Sequence, residues 1–176
     1  MKRGRLRYRV RQFWRVVRVS EPREADLALA REILTARQMG LFRIMHPAEQ
    51  DHAIRVLKKL QARGENHKDL LVAALLHDVG KSRYPLSIWE RVMIVVMNRF
   101  FPDRVKVWAE GKPRSWRRAF VVAAEHPIWG AQMAAESGAS PLAVNLIWRH
   151  QEPPSTIPKT QEDLLLRTLQ AADDDS

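Results

Sequence analysis

Apolar positions recur at helical spacing through most of this chain. In 47–63, Ala53, Val56, Leu57 and Leu60 share one face, which predicts a helix closed by Gly64. An earlier helix is expected from about 21 to 39, with Gly40 as its stop. Residues 70–76 are apolar without interruption and read as a buried helix opened by the polar stretch Asn66-His67-Lys68-Asp69. Residues 87–101 predict a helix apolar over most of its circumference, broken by Pro102. Ser140-Pro141 starts another, through 142–148, and Leu165, Leu166, Leu169, Ala171 and Ala172 mark the last. The pattern is that of an all-α bundle.

The helix through 70–76 runs into His77-Asp78, then Val79-Gly80-Lys81. A histidine and an aspartate are costly to bury without partners. Adjacent helical residues point about 100° apart, so both can face one point only where the backbone leaves the helix. Gly80 is read as the residue that supplies that exit. His52, His126, His150 and Asp173 each lie on or at the end of a helix with a core-facing stripe. Asp173 is preferred over Asp174 and Asp175 because it continues Leu166, Leu169 and Ala172 onto the buried face. Pro127 is read as the first turn of a new helix after His126, His46 as a cap or surface residue, and His67 as solvated. The chain has no cysteine, so imidazole and carboxylate are its means of holding a transition metal. Taken singly, each histidine is also compatible with a hydrogen-bonded place in the core.

The order H…HD…H…H…D, with Leu-Leu-His-Asp-Val-Gly-Lys around the pair, resembles the HD-domain superfamily of metal-dependent phosphohydrolases over roughly residues 45–176. The resemblance implies an HD-type helical bundle with a metal site in its core. By position, His52, His77, Asp78 and Asp173 match the ligands of a first metal. His126 and His150 match the extra histidines of two-metal members, in which the aspartate of the pair bridges both ions. Two departures are visible. Gln151 stands where members often carry a second histidine before Glu152, and no Gly-Tyr-Pro motif follows, against the cyclic-di-GMP branch.

If the six residues converge, the expected reaction is hydrolysis of a phosphoester, a nucleotide or related small phosphate compound, by a metal-bridging hydroxide. Asp78 and Lys81 are the expected catalytic residues, and Lys81, Arg83 and Arg149 candidate contacts for the substrate phosphate. Iron, manganese, cobalt, nickel or zinc suits the ligands, as one or two ions, with magnesium also compatible. A non-catalytic ligand-binding domain or a membrane-peripheral regulatory HD domain is the alternative.

Charge adds a second theme. Thirty basic residues stand against twenty acidic ones, a net charge of +10. Lys2, Arg3, Arg5, Arg7, Arg9, Arg11, Arg15 and Arg18 crowd the start of the chain, so 1–20 is read as a basic arm and 21–176 as one HD domain, with 85–118 as an apolar and basic insertion. The arm is compatible with a solvated tail or an anionic-membrane anchor, both ranked above nucleic acid because its aromatics cluster at one spot. For the helix in 87–101, core or dimer packing, hence a homodimer, is ranked above a lid or a bilayer contact. The absence of cysteine, of a secretory signal and of any apolar run long enough to span a bilayer leads to the expectation of a cytoplasmic, at most membrane-peripheral, protein.

Overall fold

The computed structural model describes residues 22–153 and 158–176, and the basic arm lies outside them. Helix α1, Glu24–Ile33, stops where Leu34 turns extended, and α2, Ala36–Ile44, begins two residues later. The single helix expected to end at Gly40 is therefore two. The cause is a capping box: Thr35 Oγ1 accepts from the Gln38 amide at 3.3 Å, and Gln38 Oε1 accepts from the Thr35 amide at 3.0 Å. Gly40 lies inside α2.

His46 caps α3, Pro47–Ala62, its Nδ1 accepting from the Ala48 amide at 3.2 Å. Gly64, at φ +81°, closes the helix in the left-handed region as expected. Helix α4, Lys68–Leu76, buries every residue of 70–76 and is the centre of the bundle. Helices α1, α3, α8 and α9 pack around it. A 3-10 turn, Val79–Arg83, carries the chain from α4 onto the side of α7.

The insertion holds α5, Ile88–Phe100, and α6, Pro102–Trp108, which Pro102 starts at its first turn. Not one residue of α5 is buried, so core packing does not account for its apolar face. Helix α7, Arg118–Glu136, is continuous through Pro127; no new helix starts there. Helices α8, Pro141–Arg149, and α9, Gln161–Asp174, complete the bundle, each capped by a hydroxyl, Ser140 and Thr160. No strand occurs among the described residues, and none of their helices is long and apolar enough to cross a membrane.

Candidate metal centre

Helix α4 ends at His77, still right-handed at φ −55°, ψ −34°. Asp78 moves to φ −95°, ψ 1°, and the chain tightens into the 3-10 turn. This change of course lets two sequence neighbours face one centre: His77 Nε2 lies 3.6 Å from Asp78 Oδ2. Gly80 has a different task from the one expected. Its φ is not in the left-handed region. A Cβ there would lie 2.0 Å from the His126 carbonyl oxygen and 2.7 Å from the Gly130 nitrogen. Glycine is needed because the turn rests directly on the backbone of α7, and that contact brings His77-Asp78 up to His126.

The six expected ligands meet in two adjoining triads. His52, His77 and Asp173 form one; Asp78, His126 and His150 form the other; within each, the donor atoms lie within 4.8 Å of one another. Asp78 faces both. Its Oδ2 points toward His77, while Oδ1 lies 3.2 Å from His126 Nε2 and 3.9 Å from His150 Nε2. Asp173 Oδ1 is 2.7 Å from His52 Nε2 and 3.7 Å from His77 Nε2. Asp174 belongs to neither triad, and Asp175 pairs with Arg63 at 2.8 Å.

The orientation of the buried rings tests whether a cation belongs here. Nδ1 of His77 meets the Ala74 carbonyl at 3.0 Å, Nδ1 of His150 meets that of Ile147 at 2.6 Å, and Nδ1 of His126 meets that of Ala123 at 2.9 Å. A carbonyl only accepts, so each Nδ1 carries the proton and each Nε2 a lone pair. Those three Nε2 atoms are buried and without a hydrogen-bond partner. Leaving a buried acceptor unmet costs about 1–3 kcal/mol, and three of them converge beside two carboxylates. A divalent ion satisfies this donor set, and Nδ1 held by a carbonyl is the usual support of a metal-binding histidine.

Pro127 is part of that support. It has no amide hydrogen to give the Ala123 carbonyl four residues back, and His126 Nδ1 takes the carbonyl instead.

Titration follows the same geometry. Burial, reinforced by the neighbouring His77, pulls His150 from 6.5 to about 3. Burial also lowers His126, against the pull of Asp78. For Asp78 burial acts upward, but Lys81, His77 and His126 outweigh it and hold the carboxyl well below its ordinary range. Asp173 is likewise held at about 2: burial opposes this, and the His52 hydrogen bond and His77 prevail. For Lys81 burial acts downward, yet Asp78, with its carboxylate at 2.7 Å, and Glu49 raise it above its usual value, so the ammonium stays charged.

A cavity of about 360 Å³ opens beside the triads, lined among others by His52, Asp78, Asp173, Arg55, Lys81 and Arg91. A smaller hollow of about 200 Å³ joins Lys81 and Arg91 to His126, Ile94 and Gln151. Of the three cations named for phosphate contact, Lys81 lines both. Arg83 is exposed, its guanidinium 5.7 Å from the centre of the Trp129 ring. Arg149 is held by Glu152, Glu162 and Asp163 at 2.9, 2.8 and 3.1 Å. Three further charged residues line the site without belonging to the motif: Arg55, Arg91 and Glu49. Arg55 lies one helical turn after His52, a signal that was available. Arg91 on α5 forks onto Glu49 of α3 with both terminal nitrogens, a pairing across 42 positions with no local trace.

A family model described as HD domain matches residues 50–176. No curated protein and no solved structure gives a significant match.

Proposed function

Because this chain belongs to the HD-domain family, whose members are in general metal-dependent hydrolases, we propose that its paired triads hydrolyse a phosphoester of a small, soluble phosphate compound such as a nucleotide. The observation that carries the reading is the set of three buried Nε2 lone pairs aimed at Asp78, with a charged lysine on the same carboxylate.

His52, His77 and Asp173 would hold one ion, His126 and His150 the other, and Asp78, with one oxygen toward each triad, both. A divalent ion supplies Lewis acidity there, polarising a phosphoryl oxygen and bringing the pKa of water toward neutrality. The chain's own groups do the rest. Lys81, with its ammonium 2.7 Å from Asp78 and on the cavity wall, is placed to meet a phosphoryl oxygen as a cation. Arg91 and Arg55 line the same cavity; each is paired with one carboxylate, Glu49 and Asp51, and a phosphate would compete for them there. The cavity sets these three cations against four carboxylates, Glu49, Asp78, Asp173 and Asp174, so the charge that favours an anionic substrate would come from the divalent ions. Arg83 and Arg149 are weaker candidates, since the first stacks on Trp129 and the second is neutralised by three carboxylates.

The test is metal content per chain after purification without chelator, followed by a screen of phosphomonoesters and phosphodiesters with manganese, iron, cobalt, nickel, zinc and magnesium. Turnover lost in Asp78→Ala is expected. A protein that binds metal but cleaves none of these esters would favour the non-catalytic, ligand-binding alternative.

A further inference from the structure

Helix α5 reads IWERVMIVVMNRF, and apolar side chains fill nine of its thirteen positions without one being buried. Trp89, Met93, Val96 and Phe100 recur at spacings of four, three and four, a single stripe along one side of a helix about 20 Å long. Trp89 is 81% exposed and Phe100 67%. The opposite side carries Arg91 and Ile94, which face the cavity; of the stripe only Met93 is half-buried, and Trp89, Val96 and Phe100, with Ile88 and Val95 beside them, are exposed. An exposed apolar strip of this length on a folded domain marks a contact surface.

The charges around it choose the partner. Arg99 and Arg104 stack on Phe100 and Phe101, 5.9 and 5.7 Å from the ring centres. Lys106, Lys112 and Arg114 follow, all exposed, against the exposed acids Asp103 and Glu110. Val107 and Trp116 add further exposed apolar area to the same stretch. A second copy seated on this face would set basic rim against basic rim. The chain's own basic start, with Lys2, Arg3, Arg5 and Arg7, meets the same repulsion. An anionic surface with an apolar interior answers both features. Tryptophan and phenylalanine enter the acyl boundary while arginines at its edge reach the headgroups.

We propose that α5, with the cations of α6 and the following loop, is the face by which this protein lies on an anionic lipid bilayer. The site does not depend on the basic arm and does not depend on the reaction at the metal centre.

The experiment is co-sedimentation of the full chain with vesicles of phosphatidylcholine alone or with phosphatidylglycerol, beside sedimentation velocity without lipid. Trp89→Ser/Phe100→Ser and Arg99→Gln/Arg104→Gln are compared with the parent, and circular dichroism and metal content report that each remains folded. The parent should bind the mixed vesicles at low salt. The arginine pair should weaken this about thirtyfold, the equivalent of about 1 kcal/mol for each cation near such a surface. The Trp89/Phe100 variant should lose at least as much and keep its metal. Equal binding by a folded Trp89/Phe100 variant would overturn the proposal and move any attachment to the arm. A dimer in the parent that this variant dissolves would overturn it in favour of a second copy. Failure of the parent to bind mixed vesicles would overturn it outright.

Discussion

Pro127 leaves the Ala123 carbonyl without its helical amide, and the neighbouring residue, His126, fills the vacancy with Nδ1 at 2.9 Å. A residue that normally weakens a helix here helps to fix the tautomer of a candidate ligand. Pro127→Ala would restore the amide as a competitor for the same carbonyl. Metal affinity should fall about tenfold or more, within the range found when a ligand's hydrogen-bond support is removed, while helix content is retained. Competition with a metal-chelating dye measures it; unchanged affinity would show that the Val122 carbonyl, 3.1 Å from the same Nδ1, and packing are enough to hold the ring.

The two triads predict separable losses of metal. His52→Ala should remove one equivalent and His126→Ala or His150→Ala the other, whereas Asp78→Ala, facing both, should remove two. Turnover should fall by more than about a hundredfold in each, since a ligand itself is lost rather than its support. Elemental analysis of the folded variants decides it. The same single equivalent surviving in all four would mean that the triads are not two sites.

The metal-free protein should lose stability as acid is added. His150 and His126 are buried neutral, with folded pKa values below their ordinary 6.5. Between about 3 and 6.5 the unfolded chain binds more protons at His150 than the folded one, so stability rises with pH there and levels off above 6.5. Each such group contributes up to about 1.4 kcal/mol per pH unit. Asp78 and Asp173, depressed below 3.8, act in the same direction at the acid end. Urea midpoints of metal-stripped protein from pH 7.5 to 4 should fall on acidification, and His150→Gln should flatten the slope.

Gly80→Ala should be far more damaging than an ordinary glycine replacement. The added carbon would meet the His126 carbonyl oxygen at 2.0 Å, and both partners are backbone. Overpacking of this kind costs about 1–3 kcal/mol, occasionally more. Because the strain falls between the turn and α7, metal at the His126 triad should be lost before helicity is. Gly40→Ala, with open space around its Cβ position, is the control.

How far the chain could be read in advance follows from the range of each interaction. The candidate ligands could be picked out because each closes or rides a helix whose apolar stripe lies within one or two turns of it. The end of α3 at Gly64 was legible for the same reason. The break at Thr35 was also local, a hydroxyl and an amide three residues apart, but both flanks are good helix formers and the longer periodicity masked it. The purpose of Gly80 lies in a backbone some fifty residues further on, and the task of Pro127 in a ring that competes for one carbonyl. Neither leaves a periodic signal. The same is true of Arg91, whose partner Glu49 is fixed by topology alone.

The attachment of α5 has one more consequence. None of its apolar side chains is buried, yet two adjacent charged ones reach across: Glu90 to Arg118 at 2.5 Å and Arg91 to Glu49. Arg118 also donates to the Pro85 carbonyl at 2.6 Å. The wall of the cavity is thus fastened to the bundle by charge together with the half-buried Val92, Met93, Ile94 and Met97, while the bundle itself is held by fully buried apolar contact. Both pairs lie largely out of water, where salt screens little, so loss of one partner, rather than raised ionic strength, is what would loosen the rim of the pocket.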